Sequence, residues 1–294
     1  MSAETQATVG VIGLGSMGIG MATTLASKGF RTLGFDLSQE RRVLAAKSAV
    51  GAVESIAEAF EVSDFLVFSL PTAKDVEAVI DQHIGILEQR RETRIIIVDT
   101  STSEPDVSRR LAGRLTELNH GFLDAPVSGG PAGAASGKLT MMIGGAEKDV
   151  ALAQPVIEAM SAKVLHVGTS GSGNVAKLVN NLLAAAHMIT TSEALKLALS
   201  SGIDPEAALR VLNAASGKSM ISEVHFPTWI MSDRFDSGFS MGLMRKDVRL
   251  ASELARSTGA GLPVAELVSQ LWSKSELKDS DDFTCMGAFK PSSK

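Results

Sequence analysis

Tyrosine is absent from the 294 residues, and aromatic side chains of every kind make up only 4% of them. Any mechanism that draws its proton from a tyrosine hydroxyl is therefore excluded. One cysteine, Cys285, can form neither an internal disulfide nor a thiolate metal cluster. The five histidines fall at no HxxxH or HxH spacing, so no metal site is expected. No uninterrupted apolar run reaches the ~18 residues a membrane span needs. The opening MSAETQATVGV lacks the basic and apolar regions of a signal peptide. An excess of positive charge is missing too: the formal net charge is −5, which offers no footprint for nucleic acid or an anionic membrane. The expectation is a soluble, cytoplasmic globular protein. At roughly 100–200 residues per domain, the chain is long enough for two domains with separate cores.

What is present is an alternation. Short apolar runs at 8–13, 31–36, 65–70, 95–100, 122–127, 140–144 and 163–167 are separated by amphipathic stretches at 17–28, 38–48, 75–89, 104–118 and 147–162. That order predicts βαβ units and a mainly parallel sheet. The pattern then changes. One long helical stretch runs from about Gly173 to Ser200, and 205–215, 242–258 and 264–277 also read as helices. The polar tail at 290–294 reads as disordered. The chain thus divides into an α/β domain at 1–167 and an all-α domain at 168–294, joined by a long interdomain helix. A cleft between two such domains is a common place for a small-molecule site.

The strongest local signal is Gly13-Leu14-Gly15-Ser16-Met17-Gly18, a G-x-G-x-x-G that leaves a strand and opens a helix. The first glycine makes the tight turn, the second lets backbone approach a pyrophosphate, and the third packs helix on strand. The helix N-terminus favours the anion. Alone, the motif is often only a turn; here strand and helix flank it as a doubly wound, Rossmann-type domain requires. Asp36 ends the second strand, where a carboxylate would accept hydrogen bonds from the adenosine ribose and repel a 2′-phosphate. NAD is thereby favoured over NADP, although Arg41 and Arg42 stand close enough to blur the preference. The alternative for Asp36 is a helix cap shared with Ser38.

Two further constellations stand out. Lys177 and Asn181 lie at i and i+4 on one face of the long helix, among Ala, Leu and Val. Desolvation there would lower the lysine's pKa and suit it to proton transfer, although helix spacing alone equally describes a solvated lysine and a surface amide. In Asp124-Ala125-Pro126-Val127-Ser128-Gly129-Gly130, a strand ends on a hydroxyl and several backbone N–H groups able to hold a carboxylate. An ordinary turn before Pro131 is the alternative.

Taken together these segments resemble the β-hydroxyacid dehydrogenases, the family of 3-hydroxyisobutyrate dehydrogenase, tartronate semialdehyde reductase and L-threonate dehydrogenase, related to 6-phosphogluconate dehydrogenase. VGVIGLGSMGIGMATTLASKGF, SLPTAKDVEAVI, DTSTSEP, DAPVSGGPAGAASGKLTMMIGG, GNVAKLVNNLL and FDSGFSMGLMRKDVRLA appear in the family's order, from Val9 to about Phe289. The resemblance implies an NAD-dependent oxidoreductase, with NADP less favoured. It would act on a small 3-hydroxy acid or on the matching semialdehyde, such as tartronate semialdehyde. Lys177 would relay the proton and Asn181 position the substrate. Ser128, Gly129 and Gly130 would bind its carboxylate. Leu70, Pro71, Ser101 and Thr102 would line the cofactor site, and Lys246 with Asp247 would close over the nicotinamide side. A homodimer or homotetramer is implied as well. Imine reductases and non-catalytic dinucleotide-binding modules are the alternatives; such relatives replace the lysine that this chain keeps.

Overall fold

The computed structural model describes residues 7–289, so the tail at 290–294 lies outside them. Packing divides the chain into two compact units, one ending at Lys177 and the other beginning at Leu178. The sequence boundary at 167/168 marks the end of the last strand. The start of the long helix belongs with the first unit by its contacts.

The first unit begins with β1 (Thr8–Ile12), α1 (Ser16–Ser27), β2 (Arg31–Phe35), α2 (Gln39–Ala46), β3 (Gly51–Ala52) and α3 (Ile56–Val62). It continues with β4 (Phe65–Phe68), α4 (Ala73–Gln82), α5 (Ile84–Gln89), β5 (Ile96–Asp99), α6 (Pro105–Glu117) and β6 (Gly121–Asp124). β7 (Val127–Ser128), α7 (Gly130–Ser136), β8 (Leu139–Gly144), α8 (Glu147–Met160) and β9 (Ser161–Gly168) complete it. The sheet runs β3-β2-β1-β4-β5-β6-β8-β7, with β9 on the other edge of β8. Strands β1 to β6 are parallel, whereas β8 meets β6 and β7 antiparallel. The order reverses between β1 and β4, the place where doubly wound sheets open a crevice at their carboxyl ends. Side chains alternate across the sheet. Val67 and Val98 enter one core with Met21, Leu25 and Ile143; Leu66, Phe68 and Ile97 enter the other with Phe60, Ile80 and Leu111.

The second unit is helical. α9 (Ser172–Ser200) starts in the first unit and continues into it, followed by α10 (Pro205–Ala214), α11 (Met241–Ser257) and α12 (Pro263–Lys274). By length and composition α9 is apolar enough to cross a membrane, although no single apolar run in the sequence is that long. In this protein its Ala185, Met188, Ile189 and Leu195 are core residues, clustered with Phe226, Met244, Val248 and Trp272.

Three departures from the sequence reading have local causes. The strand expected over 122–127 breaks at Ala125–Pro126, because proline lacks the N–H a ladder needs. The helix expected over 75–89 breaks at His83, whose ring Nδ1–H donates to the Val79 carbonyl and whose ring stacks on Phe60 at 5.0 Å. The stretch between the helices expected at 205–215 and 242–258 contains a π-helix at Ile221–Ile230. Pro227 inside it cannot donate, and the Ser222 carbonyl takes the Asn213 side-chain N–H instead, at 3.1 Å.

Candidate active site

The glycine turn between β1 and α1 can be tested for fit to a dinucleotide by asking what a Cβ would meet at each glycine. At Gly13, with φ +93°, it would collide with the Ser69 carbonyl. At Gly18 it would collide with the Gly13 carbonyl. At Gly15 its only neighbour within 4 Å would be Arg41 Nη1, at 3.9 Å. Two glycines are thus required by packing, and the third keeps open space in front of the α1 N-terminus. Ser16 is exposed there, with Met17 half-buried and Leu14 buried beneath. This cradle fits a pyrophosphate.

Asp36 stands at the carboxyl end of β2. Its Oδ2 accepts the Leu14 N–H and its Oδ1 the Ser38 N–H, both at 2.8 Å. Burial pushes its carboxyl pKa up, but the Ser38 and Leu14 N–H groups and the Arg41 guanidinium outweigh that and hold it below the usual value. The carboxylate is therefore anionic, anchored to the glycine turn itself, and 9% exposed. Arg41 Nη1 lies 3.4 Å from Asp36 Oδ2, and Arg42 Nη1 donates to the Asp36 carbonyl at 2.6 Å. Farther along the same sheet edge, the Leu70 N–H donates to Ser101 Oγ at 3.0 Å. That bond ties the loops after β4 and β5 together, with Pro71 exposed and Thr102 half-buried beside them.

Ser128, Gly129 and Gly130 form the turn from β7 into α7. Gly129 has φ +127° and Gly130 φ +62°, conformations that favour glycine, and a Cβ on Gly130 would meet nothing within 4 Å. Next to this turn, Lys177 Nζ donates to the Val127 carbonyl at 2.8 Å, and the lysine is only 8% exposed. The ammonium is thus held beside a turn that presents a hydroxyl and backbone N–H groups.

One turn along α9, within the helical unit, Asn181 Nδ2 donates to Asp247 Oδ2 at 2.6 Å. Lys246 Nζ is 3.7 Å from Asp247 Oδ1. Leu178 of α9 packs with Leu250 and Ala251 of α11, which brings this trio together. Each unit therefore collects its own share of the residues singled out in the sequence: the glycine turn, Asp36, Leu70, Ser101, the Ser-Gly-Gly turn and Lys177 in one, Asn181, Lys246 and Asp247 in the other. Among the described residues no group of three His, Cys, Asp or Glu side chains is arranged to hold a metal ion.

Two residues at the site escaped the sequence reading. Asp124 and Asn174 are both fully buried, and the Asn174 N–H donates to Asp124 Oδ2 at 3.0 Å. Asp124 opens the DAPVSGG segment and Asn174 lies inside GNVAKLVNNLL, so the signal was a polar residue in an otherwise apolar setting. Its partners lie about fifty residues away and could not be read locally.

Comparison with known proteins places the chain in a family. Residues 8–168 match the NAD-binding domain of 6-phosphogluconate dehydrogenase. Residues 171–288 match the NAD-binding domain of NADP-dependent 3-hydroxyisobutyrate dehydrogenase. The chain is 35% identical over 277 residues to mitochondrial 3-hydroxyisobutyrate dehydrogenase of Mus musculus, covering 92% of this chain and 82% of that protein. It is 34% identical over 269 residues to 2-(hydroxymethyl)glutarate dehydrogenase of Eubacterium barkeri, covering 92% and 89%. The solved structure of Mycobacterium tuberculosis 3-hydroxyisobutyrate dehydrogenase with L-serine superposes with a TM-score of 0.88 at 30% identity, covering 96% and 98%. With both halves matched and the glycine turn shaped for a dinucleotide, the chain belongs to the β-hydroxyacid dehydrogenases, NAD(P)-dependent oxidoreductases of hydroxy acids.

Proposed function

We propose that this chain oxidises a 2-substituted 3-hydroxypropanoate to its semialdehyde with NAD, or runs the reverse reduction, using Lys177 as the proton relay. The observation that carries the reading is the Lys177 ammonium, buried and held at the Val127 carbonyl immediately before Ser128, Gly129 and Gly130. The names of the relatives support the substrate class. 3-Hydroxyisobutyrate, 2-(hydroxymethyl)glutarate and L-serine share one skeleton, a primary alcohol on the carbon next to the one bearing the carboxylate. They differ only in the group at C2.

The bound nicotinamide supplies the hydride acceptor. The chain's own residues do the rest. The Ser128 hydroxyl and the N–H groups of Gly129 and Gly130 take the carboxylate, which fixes the primary alcohol at a set distance from the turn. Lys177, as the neutral amine, takes the hydroxyl proton on oxidation; as the ammonium it returns one on reduction. Asn181, oriented by Asp247, positions the hydroxyl, and Lys246 lies beside that pair. Gly13 to Gly18, Asp36, Leu70, Pro71, Ser101 and Thr102 hold the dinucleotide. Asp36, as an anion at the ribose position, supports NAD over NADP. Exposed apolar side chains on the helical unit, among them Val179, Leu183, Leu197, Val264 and Leu267, support a homodimer or homotetramer. The reading keeps the cytoplasm as the compartment.

Lys177→Ala tests the relay. It is expected to lower kcat by about 10²–10⁴-fold, the range for a lost general acid–base, with NADH binding retained by fluorescence. Added methylamine should restore part of the rate. Undiminished turnover in this variant would refute the assignment.

A further inference from the structure

Asp124 takes no part in the chemistry above, yet it is a carboxylate with no exposed surface at the end of β6. Its Oδ1 accepts the Gly171 N–H at 2.7 Å and its Oδ2 the Asn174 N–H at 3.0 Å. These groups belong to the first turn of α9 and the residue before it, the end of a helix that leaves N–H groups unpaired and favours an anion. The space for the carboxylate is kept by Gly144, where a Cβ would lie 2.7 Å from both carboxyl oxygens. Asn174 extends the connection: its Oδ1 accepts the Ser103 N–H at 3.1 Å and its Nδ2 donates to Ser108 Oγ at 2.8 Å. Ser103 and Ser108 are themselves buried. Lys177 follows Asn174 by three residues, on the same side of the helix. Val127, its partner, follows Asp124 by three residues on the strand side.

We propose that Asp124, together with Asn174, is a positioning pair: it clamps the first turn of α9 to the end of β6, to the loop after β5 and to α6, and so fixes where the Lys177 ammonium stands. The inference rests on the proton-relay reading of Lys177. Both halves of the Lys177–Val127 hydrogen bond are three residues from the clamp, so a shift there passes through short, regular backbone to the two atoms that must stay aligned. Burial raises the Asp124 carboxyl pKa against the pull of the Gly171 and Asn174 N–H groups, which agrees with a group serving the scaffold.

The test is Asp124→Asn in the full-length enzyme. An asparagine can accept one of the two N–H groups but turns its own NH₂ against the other. The expected result is a kcat lowered by about 10–100-fold, the effect of misplacing a reacting group by about 1 Å. NADH affinity, read by fluorescence, stays within about two-fold. The solvent deuterium isotope effect on kcat rises, because proton transfer becomes slower relative to the other steps. Asp149→Asn is the control for stability alone. Asp149 is also a buried carboxylate, at 3% exposure, but its side chain pairs with Arg94 at 2.5 Å, whereas that of Asp124 takes the N–H groups at the start of α9. It should melt earlier and keep the wild-type kcat and isotope effect. Should Asp124→Asn not fold, Asn174→Ala carries the test, with the same signature at smaller size. Wild-type kcat and isotope effect in the Asp124 and Asn174 variants would overturn the inference, as would equal losses of kcat in Asp149→Asn. An inactive Lys177→Ala beside a normal Asp124→Asn overturns the clamp alone, whereas an active Lys177→Ala overturns the relay reading and the clamp with it.

Discussion

Asp36 and Asp124 are the same residue in the same kind of place: each sits at the carboxyl end of a parallel strand and accepts two backbone N–H groups. Their outcomes diverge because of what surrounds them. Asp36 keeps a path to solvent and has the Arg41 guanidinium 3.4 Å away, so its charge is favoured and available to a ligand. Asp124 is sealed between β6 and the start of α9, so burial outweighs its N–H donors and its charge serves only the scaffold. A strand-end acid is thus assigned by accessibility and by whether a cation or only amides face it, more than by its residue type.

The comparison can be broken first by removing each carboxylate. Asp124→Ala strands at least two buried N–H groups, each costing about 1–3 kcal/mol. The melting temperature should therefore fall by roughly 10 °C in a calorimetric scan. Asp36→Ala exposes its N–H groups to water and should lower the melting temperature far less. Its larger effect is on binding: titration calorimetry should show NAD weakened by about 10- to 100-fold, the worth of hydrogen bonds to a charged acceptor. If the two variants exchanged these effects, the distinction drawn between the acids would be wrong.

A pH series sharpens the contrast. Asp36 has a folded pKa below its unfolded value, so its contribution is complete above the ordinary carboxylate pKa and is lost as pH falls through the folded value. Asp124 has a folded pKa above its unfolded value, so its contribution is complete below the ordinary value and declines as pH rises through the folded one. The melting advantage of the wild type over Asp36→Asn should therefore grow with pH on the acid side, while its advantage over Asp124→Asn should shrink. Parallel curves would show that the two environments do not differ as described. The smallest effect is expected at Arg41. Its side chain is 55% exposed, so the pair with Asp36 contributes under about 1 kcal/mol. Arg41→Ala should barely move the melting temperature, and its effect on NADP binding should exceed that on NAD.

The same contrast explains what the sequence made legible. The glycine turn, the strand–helix alternation and Asp36 were readable because their partners are near in the chain or fixed by the motif's spacing. The Leu14 N–H that Asp36 accepts belongs to the turn that predicted it. The start of β7 after Pro126 and the π-helix around Pro227 follow from proline's missing donor, a rule visible in the sequence but one that did not say which alternative geometry would be adopted. Asp124 stands in a segment whose legible feature is the Ser-Gly-Gly that follows it. Its role depends on Gly171 and Asn174, 47 and 50 residues later, and no periodicity connects them. Lys177 was ambiguous on its helix for the same reason: the spacing gave its face, and only the Val127 carbonyl shows that the face is buried.

The most direct measurement is the absorbance of reduced nicotinamide when the purified protein meets NAD and, in separate reactions, 3-hydroxyisobutyrate, L-serine and 2-(hydroxymethyl)glutarate, with secondary-alcohol 3-hydroxy acids for contrast. The account predicts turnover with at least one of the three primary alcohols, faster with NAD than with NADP and lowered about 10²–10⁴-fold by Lys177→Ala. Turnover confined to secondary alcohols, or turnover undiminished by loss of the lysine, would contradict it.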